Sequence, residues 1–219
     1  MAPSLLSQLL ISLQIAAGAT LLAAAIGLPL ALSLARPGWR GRRVLDLLVN
    51  LPLALPPTIL GFYLLQVIGR SGPLGSLSLA FTKSAAILAA ALVGLPLFVQ
   101  AARNAIEGIP GSVREAAQID GASRLAILRY ILLPLALPGL ITGLLLTWGR
   151  SLGEFGATLM VAGNIPGQTQ TLAIAVYSAV QAGEYNRAHL FALLLVSLAG
   201  LTTWLALRWR GTFSEEMRV

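Results

Sequence analysis

Five stretches of the sequence are long, apolar and almost free of charged side chains. Only the fourth carries charges, near its end, and the stretches cover approximately residues 5–34, 47–68, 84–102, 135–158 and 188–207. A helix that crosses a bilayer needs roughly 20 consecutive apolar residues, and an ordinary soluble domain does not contain several such stretches. The pattern therefore predicts an all-α integral membrane protein with about five transmembrane helices. They form one domain, residues 1–219, with a polar segment at 103–134.

The composition excludes several classes of protein. The chain is 57% hydrophobic and 11% charged, with a mean hydropathy of +0.82, so its solvent must be partly lipid. It has no cysteine, and its single histidine, His189, has no second histidine nearby. We therefore expect neither a metal site nor a cofactor. No Lys or Arg precedes the first apolar stretch, which is longer than the core of a secretory signal, so we interpret it as a retained span.

The cations predict how the chain crosses the membrane. One side collects eleven of them: Arg36, Arg40, Arg42, Arg43, Arg103, Arg114, Arg124, Arg129, Arg208, Arg210 and Arg218. The other side has only Arg70, Lys83 and Arg187. Cytoplasmic loops are enriched in Lys and Arg, so we expect the N-terminus outside, the C-terminus in the cytoplasm and the segment 103–134 in the cytoplasm. This topology explains the net charge of +7 without a nucleic-acid partner.

Two stretches predict irregular helices. Pro52, Pro56 and Pro57 in the second stretch indicate a kinked or locally opened helix. Residues 171–183 have a helical pattern but are too short to cross, so we expect a re-entrant or interfacial helix on the outer side. Asp46 and Glu107, near cytoplasmic helix ends, are expected to pair with Arg42, Arg43 or Arg103 as surface contacts, and we assign them no function.

The cytoplasmic segment predicts two short helices joined at a glycine. Ser112 and Glu115 have the spacing of a capping box, which would start the first helix. Gly121 can take the left-handed conformation that ends a helix, and Ser123 can cap the next. From these residues alone, two interpretations are open: a polar interfacial loop whose Glu115 serves only its own helix, or a projection that binds a partner.

The same segment resembles a known family signature. Glu115-Ala116-Ala117, then Gly121 after three residues, Ile131 after nine more and Leu133-Pro134 after one more are similar to the EAA loop of ABC-importer permeases. In that family the loop is a coupling helix that docks into a cytoplasmic ATPase subunit. The resemblance implies that the ATPase-coupling residues are Glu115, Ala116, Ala117, Asp120 and Gly121. The chain has no GxxxxGK[ST] motif, so ATP hydrolysis would belong to the partner.

A polar stripe lies in the fourth stretch. It consists of Thr147, Arg150, Ser151, Glu154 and Thr158, spaced as on one face of a helix, with Gly149, Gly153 and Gly156 beside it. Charges within a span cost about 2.5–3.5 kcal/mol each on translocon scales. The stripe is therefore either a structural ion pair or part of a transport pathway or gate, with Arg150, Ser151, Glu154 and Thr158 as its candidate residues.

Further segments are similar to molybdate permeases. They are Arg150–Thr158, Gly163–Gly167, Thr169–Leu172 and the LPLALPPTILGFYLL stretch from Leu51, of which sulfate permeases share the GEFGA-like part. The resemblance implies the type I ABC importer permease (MetI-like) fold, a homodimer around a central path, two cytoplasmic ATPase subunits and a periplasmic oxyanion-binding protein. It implies import of molybdate or a similar tetrahedral oxyanion by alternating access. The alternatives are a tungstate or sulfate permease, an ion-coupled secondary transporter and a membrane scaffold.

Overall fold

The computed structural model describes residues 5–36 and 38–216, and for residues 206, 207 and 209–216 it describes the backbone alone. This part of the chain has a 3₁₀ helix at Gly75–Leu77, a π-helical turn at Leu128–Leu132 and ten α-helices, in the order α1 (Leu5–Leu34), α2 (Arg42–Ala54), α3 (Pro57–Ile68), α4 (Lys83–Glu107), α5 (Gly111–Ile119), α6 (Arg124–Ile127), α7 (Leu133–Leu152), α8 (Gly156–Ala162), α9 (Leu172–Gln181) and α10 (Tyr185–Glu216). No strand occurs among these residues, and the predicted all-α class is confirmed.

Four helices are long and apolar enough to cross a membrane. They are α1, α4, the continuous helix Arg124–Leu152 and the part Tyr185–Leu205 of α10. The pair α2 and α3 passes the same test only as one unit, bent by 113°. The structure therefore has four to five apolar helices of spanning length, and α9 is a shorter apolar helix.

Helix α4 lies at the centre of the bundle, between α1 and α7. Its small residues allow close packing, and Ala85, Ala89 and Ala102 are completely buried. A Cβ atom at Gly94 would lie 2.9 Å from Cγ2 of Thr147 on α7, so a larger residue here would displace Thr147 or move the two helices apart. Small residues serve this purpose in membrane bundles because lipid offers no hydrophobic drive for helix association.

The kink predicted in the second stretch is confirmed. The chain bends by 113° between α2 and α3, so the two helices are separate elements. Helix α2 ends at Ala54, Leu55 is extended, and Pro56 and Pro57 start α3. A proline is tolerated at a helix start because it has no N–H to leave unpaired there. Helix α3 then packs on α8, where a Cβ atom at Gly61 would lie 2.8 Å from Cα of Ala157.

A row of polar side chains, the polar ladder, joins α2 to α4. Arg42 contacts Glu107 at 2.8 Å, and Arg103 contacts Asp46 at 3.1 Å and Glu107 at 3.0 Å. One helical turn further along α2 from Asp46, Oδ1 of Asn50 accepts a hydrogen bond from Nε2 of Gln100. The predicted pairing of Asp46 and Glu107 with arginines is confirmed for Arg42 and Arg103, and Arg43 is in none of the ion pairs of the described residues.

A buried hydrogen-bond network fixes the opposite end of the bundle. Gln8 of α1 donates to Oε1 of Gln170 at 2.8 Å, and Ser12 Oγ accepts from the backbone nitrogen of Leu172 at 2.8 Å. Thr171 caps α9 by accepting from the backbone nitrogen of Ile174. The helix predicted at 171–183 is therefore present, and its first turn is held against α1.

Candidate coupling segment and intramembrane polar cluster

The coupling segment begins with α5, and its start differs from the predicted capping box. The helix begins at Gly111 with Pro110 as the N-cap residue, and no side chain caps it. The capping box of Ser112 and Glu115 is therefore wrong. Pro110 explains the difference, because its φ of −54° is fixed in advance and its extended ψ of 137° turns the chain into the helix one residue earlier.

The end of α5 is a Schellman motif centred on Gly121. The backbone nitrogen of Ala122 donates to the oxygen of Ala117 at 2.9 Å, and that of Gly121 donates to Gln118 at 3.1 Å. Gly121 has a φ of +81°, which confirms the predicted left-handed turn. Asp120 is the C-cap residue. The residues predicted to couple to an ATPase thus form one helix and the turn that ends it.

Two apolar side chains on this segment are exposed, and their exposure was not predicted from the sequence. Ile119 is 85% exposed and Leu125 is 72% exposed, while α5 buries none of its residues. Large apolar side chains that are exposed close to one another in the chain are candidates for a protein interface. A signal was present in the sequence, because Ile119 is the one large apolar residue in the last turn of an otherwise polar and alanine-rich helix end.

The segment is tied to two long helices. Nη2 of Arg114 donates to the backbone oxygen of Ile106 at 2.8 Å, which joins α5 to the last turn of α4. Ser123 caps α6 as predicted, by accepting from the nitrogen of Ala126. Helix α6 then continues through one π-helical turn, Leu128–Leu132, into α7. Helix α5 is therefore linked to α4 by a side-chain hydrogen bond, and to α7 through the turn 120–123 and α6.

The predicted polar stripe is interrupted rather than continuous. Helix α7 ends at Leu152 with Gly153 as its C-cap residue, and α8 begins at Gly156. The prediction of one regular helical face across this stretch is therefore wrong. At Gly153, with a φ of −88° and a ψ of 5°, the backbone leaves the helical path, and the chain then turns so that α8 packs on α3.

Glu154 lies in this break and has two partners. Its Oε2 atom is 2.7 Å from Nη1 of Arg150, and its Oε1 atom accepts a 2.9 Å hydrogen bond from the backbone nitrogen of Ala157. The Glu154 side chain is 2% exposed, while that of Arg150 is 33% exposed. The carboxylate thus occupies the start of α8, where backbone N–H groups would otherwise attract an anion.

The hydroxyl groups of the stripe are buried within the helix bundle. Thr147 donates to the backbone oxygen of Gly94 at 3.4 Å. Ser151 Oγ and Thr158 Oγ1 are buried with no hydrogen-bond partner. The structure therefore brings Ser151, Glu154 and Thr158 together in the interior, and Arg150 is the member of the predicted site that reaches the surface.

The two helix breaks lie against one another. A Cβ atom at Gly156, where α8 starts, would lie 3.0 Å from Cγ2 of Thr58 and 3.6 Å from Cβ of Pro57, where α3 starts. Discontinuous helices within a membrane are tolerated where protein or a water-filled cavity surrounds the irregular backbone. The polar cluster, which consists of Arg150, Ser151, Glu154 and Thr158, therefore lies where two interrupted helices meet.

Comparison with known proteins gives the chain a family. The family model described as "Binding-protein-dependent transport system inner membrane component" matches residues 27–210. The chain is 40% identical over 210 residues to the molybdenum transport system permease protein ModB of Escherichia coli K12, covering 90% of this chain and 91% of that protein. ModB of Haemophilus influenzae is 38% identical over 216 residues, with 93% and 94% covered. The putative permease YvgM of Bacillus subtilis is 38% identical over 198 residues, with 87% of each covered.

Solved structures of ABC transporters share the fold of this chain. An inward-facing structure of the MetNI methionine ABC transporter superposes with a TM-score of 0.74 at 25% identity, covering 94% of this chain and 95% of that chain. A bacterial alginate ABC transporter gives 0.74 at 18% identity over 92% of this chain and 76% of that one, which supports the fold alone. The predicted MetI-like fold of type I ABC importers is thus confirmed. The chain is a multi-pass inner-membrane protein and belongs to the family of binding-protein-dependent transport system inner membrane components.

Proposed function

We propose that this chain is the membrane-spanning permease subunit of an ATP-driven importer for molybdate or a similar tetrahedral oxyanion. The observation that carries the proposal is its similarity, over about nine-tenths of its length, to a molybdenum transport permease, at 40% identity. The chain supplies the path, and a separate ATPase supplies the energy. Its sequence has no GxxxxGK[ST] motif of its own, in keeping with that division.

We assign docking of the ATPase to the coupling segment. The exposed Ile119 and Leu125 side chains flank the Gly121 turn, and a docked partner would remove this apolar surface from water. Glu115, Ala116, Ala117, Asp120 and Gly121 shape the helix end that enters the partner. Two permeases with two ATPase subunits would complete the transporter, and a periplasmic oxyanion-binding protein would deliver the anion to its outer face.

Coupling then follows from how α5 is attached. Closure of the ATPase pair on ATP would displace α5, and the hydrogen bond from Arg114 to Ile106 would transmit that displacement to α4. The continuous helix from Arg124 to Leu152 would transmit it to α7. Helices α4 and α7 carry Gly94 and Thr147 at their crossing, so their relative tilt opens or closes the path near the polar cluster by alternating access.

The polar cluster would serve this path as a gate rather than as a binding site. Arg150 attracts a dianion, while Glu154 at 2.7 Å offsets its charge. An uncompensated cation would hold the anion and slow its release. Ser151 and Thr158 are buried hydroxyls without partners in this conformation, and they would gain partners when the helices tilt. In the proposed orientation the N-terminus is outside and the C-terminus is cytoplasmic.

Uptake into proteoliposomes tests the proposal. The permease is reconstituted with its ATPase and an oxyanion-binding protein, and labelled molybdate is measured inside the vesicles with and without ATP. We expect molybdate uptake that depends on ATP and requires all three components. Tungstate should compete with molybdate and lower this uptake. Uptake driven by an ion gradient without the ATPase would identify a secondary transporter, and preference for sulfate would identify a sulfate permease.

A further inference from the structure

A cavity of about 640 Å³ lies beside the coupling segment, between the ends of α1 and α4 and the α5–α6 turn. Its walls are of two kinds. Leu32, Ile106 and Leu132 contribute apolar surface, and Arg36, Arg114 and Arg124 contribute positive charge. The proposed coupling mechanism uses two residues that line this cavity, Arg114 as a link to α4 and Leu125 as an exposed anchor for the ATPase, but it gives the cavity itself no role.

The three arginines converge without a counter-charge from the protein. No carboxylate is among the described residues that line the cavity, and none of the three arginines is in an ion pair of the described part of the chain. Arg114 uses Nη2 to bond Ile106, while its Nε atom is buried and has no hydrogen-bond partner. A buried donor without an acceptor is unfavourable, so an acceptor oxygen that reached this atom would remove an existing penalty.

The position of the apolar wall indicates what kind of anion fits. Leu32 lies two residues before the end of α1, and Ile106 lies one residue before the end of α4. The cavity therefore spans the boundary between the hydrocarbon region and the headgroups, with Arg36 just beyond it. A free inorganic anion would use the cations and leave the apolar wall wet. A molecule with an anionic head and an apolar tail would use both.

We propose that this cavity binds an anionic phospholipid of the cytoplasmic leaflet, with its phosphodiester between Arg36, Arg114 and Arg124 and the start of an acyl chain against Leu32 and Leu132. Basic pockets between helices at the cytoplasmic surface are a recognised form of headgroup site. The bound lipid would connect α1 to both α5 and α6. Occupancy would thereby hold the coupling segment against the first span, an effect that rests on the proposed function, whereas lipid binding itself does not.

The binding test compares two double variants of the full chain. Arg36→Gln with Arg124→Gln removes two cavity cations that make no hydrogen bond within the described residues, and Arg40→Gln with Arg43→Gln is the matched control, because it removes two exposed cations from the same side. Each protein is reconstituted into nanodiscs of phosphatidylcholine with increasing phosphatidylglycerol, and retained phosphatidylglycerol is measured by native mass spectrometry. We expect roughly thirtyfold weaker retention in the cavity variant, which corresponds to about 2 kcal/mol, and unchanged retention in the control.

Three outcomes would overturn the proposal. Equal losses in both double variants would mean general attraction to an anionic surface. Displacement of phosphatidylglycerol by inorganic phosphate at moderate concentration would mean a soluble-anion site. Loss of ATPase co-purification in the cavity variant, with lipid retention unchanged, would assign these arginines to the protein interface. Arg114→Lys keeps the charge and tests the site separately: lower lipid retention in this variant without loss of membrane abundance supports a built site, and wild-type retention counts against it.

Discussion

Nη1 of Arg150 lies 2.7 Å from Oε2 of Glu154, although the helix that carries Arg150 ends before Glu154. The ion pair thus crosses a helix break. Because Glu154 also accepts from the backbone nitrogen of Ala157, its carboxylate fixes the start of α8 relative to the end of α7. One side chain therefore combines charge balance with the geometry of the break.

The first prediction concerns this pair. Arg150→Ala and Glu154→Ala should each lower molybdate uptake, and the double variant should recover part of the loss from Glu154→Ala, because no uncompensated arginine then remains to hold the anion. We expect a coupling energy of about 0.5–3 kcal/mol between the two positions. Uptake per unit of membrane protein measures it. Strictly additive losses would mean that the residues act independently.

Glu154→Gln separates the two roles of the carboxylate. The amide oxygen of glutamine can still accept from the nitrogen of Ala157, but the charge that balances Arg150 is gone. We therefore expect Glu154→Gln to keep membrane abundance and thermal stability close to wild type while its uptake falls as in Glu154→Ala. Equal destabilisation of both variants would favour a purely structural ion pair.

The second prediction concerns the Gly121 turn. Gly121→Val should uncouple ATP hydrolysis from transport, because a β-branched residue at a φ of +81° is strained, by about 1–2 kcal/mol or more. A Cβ atom here would meet nothing within 4 Å, so a steric clash would not explain the effect. Gly121→Asn is the matched control, since asparagine tolerates the left-handed region. ATPase activity and uptake are measured on the same proteoliposomes. Normal coupling in a well-inserted Gly121→Val variant would contradict the role of this turn in coupling.

The third prediction concerns the contact between α3 and α8. Gly61→Ala should destabilise the protein by about 1–3 kcal/mol, because the new Cβ atom would lie 2.8 Å from backbone atoms of Ala157, which cannot rotate away. Gly200→Ala on α10 is the control, because nothing lies within 4 Å of its added Cβ atom. Thermal unfolding in detergent gives both values. An unchanged melting temperature in Gly61→Ala would show that α3 and α8 separate easily.

The fourth prediction concerns orientation. A reporter fused after Val219, which lies outside the described residues, should report the cytoplasm, and one inserted in the loop 70–84 should report the exterior, because cation asymmetry directs insertion. An enzymatic reporter active on only one side of the membrane reads each fusion. Reversed signals from the two positions would exclude the proposed arrangement with the N-terminus outside.

The sequence was sufficient where the physical cause is local. Apolar length predicted the helical membrane class, the Gly-Ala-Ser turn predicted the left-handed residue at Gly121 and the cap at Ser123, and three prolines predicted the disruption between α2 and α3. Oppositely charged residues four positions apart also predicted the contact between Arg150 and Glu154. Each of these features depends on a few neighbouring residues.

Features that depend on distant residues were missed. Gly153 is compatible with a continuous helix, and the chain leaves that helix where α8 turns to pack on α3, a contact between residues far apart in sequence. The bond between Gln8 and Gln170 joins side chains 162 positions apart, so no local pattern predicts it. The cap of α5 was missed for a local reason: Pro110 competes with Ser112 for the N-cap position, and its fixed φ decides the outcome.

The polar ladder between α2 and α4 has a consequence for how the chain enters the membrane during synthesis. Asp46 and Asn50 leave the ribosome well before their partners Arg103 and Gln100, which follow 57 and 50 positions later. Until then Asp46, in the second turn of α2, has Asn50 of its own helix as its hydrogen-bond partner, and the polar ladder is incomplete. Because these partners are made late, we expect α2 to take its final position in the bundle only after α4 has emerged, so that the two helices are inserted as a pair.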